Sequence, residues 1–140
     1  MFNGSCCCGN INYMAKGDPI IVAHCHCIDC KKRSGAGHTT GVMFAEKDFT
    51  VKGTLSEYQQ DGEGGRTTTH FSCTRCGSPI FGKNTEMIGF VTLSAGTLED
   101  GNLIEPQVVV FAKYRNHWDL MDSKLETFDD MPDWKPESGA

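Results

Sequence analysis

The chain has 140 residues, a hydrophobic fraction of 39% and a formal net charge of −5 at pH 7. This length suits one domain with a substantial core, and the acidic balance argues against a nucleic-acid groove or an anionic membrane surface. No apolar run approaches the roughly 18 residues of a membrane span, and the first residues lack the basic and apolar regions of a signal peptide. We therefore expect a cytoplasmic protein with no nucleic-acid or membrane partner.

Segments rich in β-forming residues alternate with turn signals along the chain, which predicts a mainly β domain. Strands are expected at Asn10–Met14, Ile20–His24, Thr39–Phe44, Leu55–Gln59, Thr67–Phe71, Ile88–Ser94 and Val108–Ala112. A short helix is predicted over Ile28–Ser34, a helical turn near Glu46, and a tight turn over Asp61–Gly65. The domain is expected to span residues 1–128, and Asp129–Ala140 to form a loosely attached tail.

Eight cysteines in a chain of this length require an explanation. A disulfide scaffold is the first alternative, but disulfides rarely persist in the cytosol. The spacings also oppose it, since Cys6-Cys7-Cys8 and Cys25-His26-Cys27 crowd the thiols, whereas the Cα atoms of an ordinary disulfide are usually ~5.5–6 Å apart. Metal binding is therefore the favoured use of these cysteines.

The first predicted site rests on the C-x-x-C-G motif at residues 73–77. Its spacing lets two thiolates converge on one metal ion, and the glycine permits the positive φ of a tight turn. On an extended segment Cys6 and Cys8 would face the same way and Cys7 would point away. We interpret this as a closed zinc site with four thiolates, the alternative being a reduced motif without metal; its ligands are Cys6, Cys8, Cys73 and Cys76.

The second predicted site is formed by Cys25, Cys27 and Cys30, three thiols within six residues. Because no second cysteine pair remains to complete a tetrahedron, we expect a second zinc with a vacant position, as in catalytic zinc sites. Three thiolates blunt the Lewis acidity of the metal, so the vacancy suits the sulfur of a substrate thiol, which would be deprotonated there. The alternative is a second structural site closed by Cys7, His24, His26, His38 or His70.

A basic triplet, Lys31, Lys32 and Arg33, follows the second cysteine motif directly. These side chains could bind the carboxylates of a thiol substrate such as glutathione, and a solvated helix face is an equally weighted alternative. The nearest candidates for a general acid are His24, His26 and Asp29.

Five motifs follow one another along the chain: Gly4-Ser5-Cys6-x-Cys8-Gly9, Cys25-His26-Cys27-x-x-Cys30-Lys31-Lys32-x-Ser34-Gly35-Ala36, Cys73-x-x-Cys76-Gly77-Ser78-Pro79, Gly96-Thr97-Leu98-Glu99-Asp100, and a closing segment with Trp118, Leu125, Phe128 and Pro132. In this order they resemble the glutathione-dependent formaldehyde-activating enzyme (Gfa) family, which also includes centromere protein V. One departure is that Gln107-Val108-Val109-Val110 follows Pro106, where the family carries a histidine.

The resemblance implies a β-tent (Mss-four-like) fold of packed antiparallel sheets, with one or two short helices, shared with a Rab guanine-nucleotide-release factor. It implies a structural zinc at the closed site and a catalytic zinc at the open one. It also implies the condensation of formaldehyde with glutathione to S-hydroxymethylglutathione, a carbon–sulfur lyase reaction in reverse. A zinc-stabilised binding module without catalysis and a glutathione carrier are the alternative functions.

Overall fold

A computed structural model describes residues 1–136 of the chain. Within these residues it contains eleven strands in two sheets, one α-helix and five short 3₁₀ helices. The prediction of a mainly β domain is confirmed. None of the helices in the described part has the length and apolar character that crossing a membrane requires.

The smaller sheet has three antiparallel strands in the order β1-β2-β5. They are β1 (Phe2–Ser5), β2 (Asn12–Ala15) and β5 (Phe49–Lys52). Buried and exposed residues alternate along β1 and β2, as expected of a sheet with one face on the core. The predicted strand Asn10–Met14 begins two residues before β2, and the sequence did not predict β1 or β5.

The larger sheet has eight strands in the order β11-β10-β3-β4-β9-β8-β7-β6. Its pairings are antiparallel except that β10 runs parallel to β3 and to β11, which differs from the expected antiparallel sheets. The reason is that β10 reaches β3 through a long connection and not through a hairpin. The strands are β3 (Ile21–Cys25), β4 (Thr39–Ala45), β6 (Leu55–Asp61), β7 (Thr67–Cys73), β8 (Pro79–Asn84), β9 (Phe90–Ser94), β10 (Val108–Val110) and β11 (Glu126–Thr127).

The helix α1 (Ile28–Ser34) forms over the predicted residues. It begins at Cys27, whose sulfur accepts a hydrogen bond from the backbone N–H of Cys30, and it ends at Gly35, whose φ of 71° is the left-handed conformation that glycine adopts easily. The predicted helical turn near Glu46 is the 3₁₀ helix Glu46–Asp48. The predicted turn over residues 61–65 connects β6 to β7.

The core lies between the smaller sheet and one face of the larger sheet. From the larger sheet, Val42 and Phe44 of β4 are buried in it, and Leu93 of β9 joins them; from the smaller sheet, Tyr13 and Ala15 of β2 are buried against them. Because side chains alternate along a strand, the residues between these, such as Gly41 and Met43, face the opposite side of the larger sheet. That opposite face carries the cavity described below.

The C-terminal segment runs back along the body of the protein. The predicted strand Val108–Ala112 ends at Val110, because Phe111 has a φ of 53° and a 3₁₀ helix, Ala112–Tyr114, follows. The backbone N–H groups of Phe111 and Lys113 donate hydrogen bonds to the carbonyls of Asp130 and Asp129. The predicted tail over 129–140 is described as far as residue 136, and its residues 137–140 lie outside the described part.

Candidate functional site

The four cysteines predicted for the closed site are brought together. Their sulfurs all lie within 4.8 Å of one another, and the sulfur of Cys8 is 3.6 Å from that of Cys6 and 3.8 Å from that of Cys73. Sulfurs that lie roughly 2.3 Å from a tetrahedral zinc are roughly 3.8 Å apart, whereas disulfide sulfurs are ~2.05 Å apart. All eight cysteines are free thiols. The closed group, Cys6, Cys8, Cys73 and Cys76, therefore fits a metal ion and not a disulfide pair.

Two turns position these thiols. Cys6 and Cys8 lie in the turn after β1, where the N–H of Gly9 donates to the carbonyl of Cys6. The segment is therefore a turn and not the extended segment that the sequence predicted, but the sulfurs of Cys6 and Cys8 still lie close together. The second turn follows β7 and includes Gly77, whose φ of 77° fulfils the prediction for the C-x-x-C-G motif. Cys7 is exposed, and its N–H donates to the hydroxyl of Ser78.

Hydrogen bonds to sulfur lower the pKa of Cys6 and Cys76 in the closed group, whereas desolvation and the neighbouring thiols raise the pKa of Cys8 to about 11. The N–H of Ile11 lies 3.1 Å from the sulfur of Cys6, and the N–H of Cys76 lies 3.5 Å from that of Cys73. The hydroxyl and the backbone N–H of Ser78 lower the pKa of Cys76 to about 5. Because metal ligands must be deprotonated, these contacts prepare the group for a cation.

The three cysteines predicted for the open site also converge. The sulfurs of Cys25, Cys27 and Cys30 lie within 4.8 Å of one another, and those of Cys25 and Cys30 are 3.5 Å apart. The thiols of Cys25 and Cys27 lower the pKa of Cys30 to about 3, and Thr39 and the charge of Arg66 add smaller contributions. Hydrogen bonds with Cys27 and Cys30, together with burial, raise the pKa of Cys25. This open group could hold a metal ion with three thiolates.

The open group faces a cavity of about 480 Å³, a size typical of small-molecule sites. All eight strands of the larger sheet contribute residues to its lining, so the sheet must curl around it. None of the closed group's cysteines is among the lining residues, whereas Cys25, Cys27 and Cys30 all are. The two groups therefore differ in setting: the open group lines the cavity, whereas the closed group lies outside it with Cys8 and Cys76 exposed at the surface.

The basic triplet is not part of the cavity lining among the described residues. The ammonium of Lys31 donates to the carbonyl of Tyr114 at 2.7 Å and to the side-chain oxygen of Asn116 at 3.0 Å. The guanidinium of Arg33 lies over the ring of Tyr58, 5.5 Å from its centre. Lys31 is therefore engaged in holding the 114–116 loop.

Two further lining residues are Arg66, which the sequence did not single out, and His70, which it offered only as an alternative ligand of the second site. Arg66 follows the predicted turn, but only the pairing of β6 with β7 brings it to the cavity. Desolvation and the charge of Arg33 lower the pKa of His70 to about 4, so its imidazole is neutral at pH 7. Among the candidates for a general acid, Asp29 lines the cavity and His24 and His26 do not.

His24 of β3 lies on the face opposite to Cys25, because side chains alternate along the strand, and His26, directly after β3, lies on the same side as His24. Nδ1 of His24 is 2.8 Å from the hydroxyl of Thr40, and His26 is fully buried. The side chains of His26, His38 and Asp119 form a third group, in which Nδ1 of His38 is 2.6 Å from Asp119 Oδ2. Two ligand atoms of a tetrahedral zinc, each roughly 2.0–2.1 Å from the metal, are roughly 3.3 Å apart. The shorter distance between His38 and Asp119 is that of a hydrogen bond.

These positions bear on the alternatives for a fourth ligand of the open group. His24, His26 and His38 form contacts on the other face, and Cys7 contacts Ser78 beside the closed group. His70 shares the cavity with the open group, but it is not among the ligand atoms that lie within 4.8 Å of its thiols. Within the described residues the open group thus has three converging ligands.

Taken together, fold and site define a mainly β protein with two cysteine groups that could each hold a metal ion. The model of the glutathione-dependent formaldehyde-activating enzyme family matches residues 1–114, and the chain belongs to this family. No match was found among curated proteins. A crystal structure of a Rhodobacter sphaeroides protein, determined by structural genomics, is similar to this chain with a TM-score of 0.56 and 19% identity, over 74% of this chain and 96% of the other. This similarity supports the fold.

Proposed function

We propose that the chain is a zinc-dependent enzyme of the carbon–sulfur lyase type that acts on glutathione–aldehyde adducts, like an S-(hydroxymethyl)glutathione synthase. The observation that carries the proposal is that the open group lines a cavity of about 480 Å³ and the closed group does not. Membership of the family supports glutathione and formaldehyde as substrates.

Two zinc ions per chain are proposed, one structural in the closed group and one in the open group. Soft thiolate ligands select zinc over magnesium or calcium, and the sulfur spacing of the closed group fits a tetrahedral ion. A zinc ion held by Cys25, Cys27 and Cys30 would lower the pKa of a thiol that enters its fourth position. We place the protein in the cytoplasm, where cysteines stay reduced.

The reaction consists of one bond-forming step. The thiol of glutathione gives up its proton and its sulfur attacks the aldehyde carbon. A C–S bond forms, the π bond of the carbonyl breaks, and the former carbonyl oxygen takes up one proton, so no atom is lost; the reverse step releases the aldehyde and the thiol. Arg66 lines the cavity and provides a guanidinium for a glutathione carboxylate, and Asp29 provides a carboxylate for its ammonium group. Lys32 and Arg33 remain candidates for binding the second carboxylate of glutathione. Lys31 is not, because its ammonium group is hydrogen-bonded to the 114–116 loop.

Exchange NMR on mixtures of glutathione and formaldehyde tests the proposal directly. Protein carrying two zinc ions per chain is expected to speed adduct exchange at least tenfold over the uncatalysed rate, and Cys30→Ala is expected to abolish the acceleration while one zinc ion remains. Cys7→Ala is the matched control, because Cys7 is exposed and belongs to neither group. An unaccelerated rate with the doubly loaded protein, for formaldehyde and for a longer aldehyde alike, or full acceleration by Cys30→Ala, would exclude this function.

A further inference from the structure

The cavity has a floor whose chemistry changes with distance from the thiols. The paired strands β3 and β4 form this floor as three successive cross-strand pairs, Cys25–Thr39, Ala23–Gly41 and Ile21–Met43, and all six residues line the cavity. Along β3 the floor extends roughly 13 Å from the level of Cys25 to the level of Ile21, at ~3.3 Å per residue. Beyond the first pair it contains no polar side chain.

The middle of the floor is formed by two small residues, Ala23 and Gly41. The methyl group of Thr92 covers Gly41, since a Cβ atom added at Gly41 would lie 2.5 Å from Cγ2 of Thr92. On the other side of β3, Val108 pairs with Ala23 and Val110 pairs with Cys25, which extends the apolar surface sideways. A shallow apolar channel therefore starts at the thiols and leads away from them.

The C-terminal segment adds an apolar wall to this channel. Phe128, Met131 and Trp134 line the cavity, and Met131 and Trp134 remain 44% and 40% exposed. Phe128 is held in place because its N–H donates to the carbonyl of Val109 at 2.8 Å. These residues lie beyond the region 1–114 that the family model matches, although Phe128 belongs to the closing segment that resembles the family.

The charged lining residues lie mainly at the thiol end. The charge of Arg66 acts on Cys30, and Arg66 also lies over the ring of Phe111, directly after Val110. Asp29 belongs to the helix that starts beside Cys27. Beyond the level of Cys25, the charged lining residue is Glu126, which is exposed on the edge strand β11 and pairs with Val108. Because burying an unpaired charge is costly, the charged groups of glutathione suit the thiol end and an uncharged chain suits the floor.

We propose that the aldehyde handled at this site carries an apolar chain of several carbons, which lies on the floor formed by β3 and β4 and contacts Trp134. The inference rests on the proposed function and specifies its substrate class, an aliphatic aldehyde such as hexanal. Formaldehyde would leave the channel between Ala23 and Met43 unfilled. The carbonyl carbon would lie at the level of Cys25, and the chain would extend toward Ile21.

Binding of stable thioethers tests the channel without any turnover. The full-length zinc-loaded chain is titrated calorimetrically with S-methylglutathione and S-hexylglutathione, and the hexyl compound is expected to bind at least tenfold more tightly. Ala23→Leu, which fills the floor, and Trp134→Ala, which removes the wall, should each reduce this advantage to less than threefold. Affinities that agree within twofold in the unmutated protein, or an advantage that survives both substitutions, would overturn the inference.

Trp118→Ala is the matched control, because Trp118 is 63% exposed and does not line the cavity. It should leave both affinities unchanged. Exchange NMR with formaldehyde and with hexanal then separates the two proposals. A larger acceleration for the hexanal adduct supports the inference; an equal or smaller one overturns it and leaves the proposed function intact. No acceleration for either aldehyde overturns the proposed function, whatever the thioethers do.

Discussion

At the scale of single residues, Cys7 and Cys8 show that a shift of one position decides whether a cysteine can be a metal ligand. Both are exposed thiols in the same turn, yet the sulfur of Cys8 lies within 4 Å of two other sulfurs and Cys7 belongs to neither group. The turn after β1 creates this difference, because it directs alternate side chains toward and away from the C-x-x-C-G turn. Two chemically identical neighbours thus have unequal roles.

Cys8→Ser is expected to remove one zinc ion per chain and to destabilise the fold strongly. Binding of a structural zinc is worth ~10–16 kcal/mol, whereas a whole domain is stable by only ~5–15 kcal/mol. The melting temperature should fall by more than about 10 °C, or the chain should fail to fold. Metal analysis and thermal unfolding by circular dichroism measure both effects.

Cys7→Ser serves as the control for this substitution, because it makes the same chemical change one residue away. It should keep both zinc ions and change the free energy of unfolding by no more than about 0.5 kcal/mol. If the two variants lost equal stability, the assignment of Cys8 and not Cys7 to the closed group would be wrong.

At the scale of elements, strand β3 separates two kinds of chemistry. Its odd-numbered residues, which end at Cys25, face the cavity, and its even-numbered residues, which include His24, face the opposite side. The helix α1 continues from this strand and adds Cys30 to the open group. On the same helix, Lys31 reaches the 114–116 loop, so α1 both completes a possible metal site and holds the chain segment that precedes the cavity wall.

Lys31→Ala and Lys32→Ala are expected to differ although the residues are neighbours. Lys31 makes two hydrogen bonds from its ammonium group, so its loss should reduce the free energy of unfolding by about 1–2 kcal/mol. Lys32 is exposed, and its loss should cost no more than about 0.5 kcal/mol. Urea unfolding gives both values. Equal costs would mean that the contacts of Lys31 with the loop do not stabilise the protein.

The sequence is a good guide to local features and a poor one to pairings between distant segments. Helix Ile28–Ser34 and the positive φ of Gly77 are predicted correctly because capping and turn preferences are local. The two cysteine groups are predicted because ligand spacing restricts the choices. Arg66 and Trp134 were missed because their place at the cavity depends on β6–β7 pairing and on the return of the C-terminal segment. Neither is encoded in a nearby motif.

At the scale of the whole molecule, the closed group joins parts of the chain that are distant in sequence. Cys8 in the turn of the smaller sheet and Cys73 at the end of β7 are 65 residues apart. A metal ion in this group would tie the smaller sheet to the larger one across the core. The three thiols of the open group, in contrast, come from six consecutive residues, so a metal there closes only a short loop, whose closure entropy is small.

Stepwise removal of zinc should therefore occur in two phases with different structural consequences. A chelator is expected to take the first zinc ion from the open group, which offers three thiolates where the closed group offers four, while the near-ultraviolet circular dichroism is retained. The second ion should leave only as that signal is lost, because the closed group connects the two sheets. Cys30→Ser should show the second phase alone, since it lacks the ion of the open group. Loss of both ions in one phase together with the fold would show that the open group also stabilises the structure, and the functional division between the two groups would have to be abandoned.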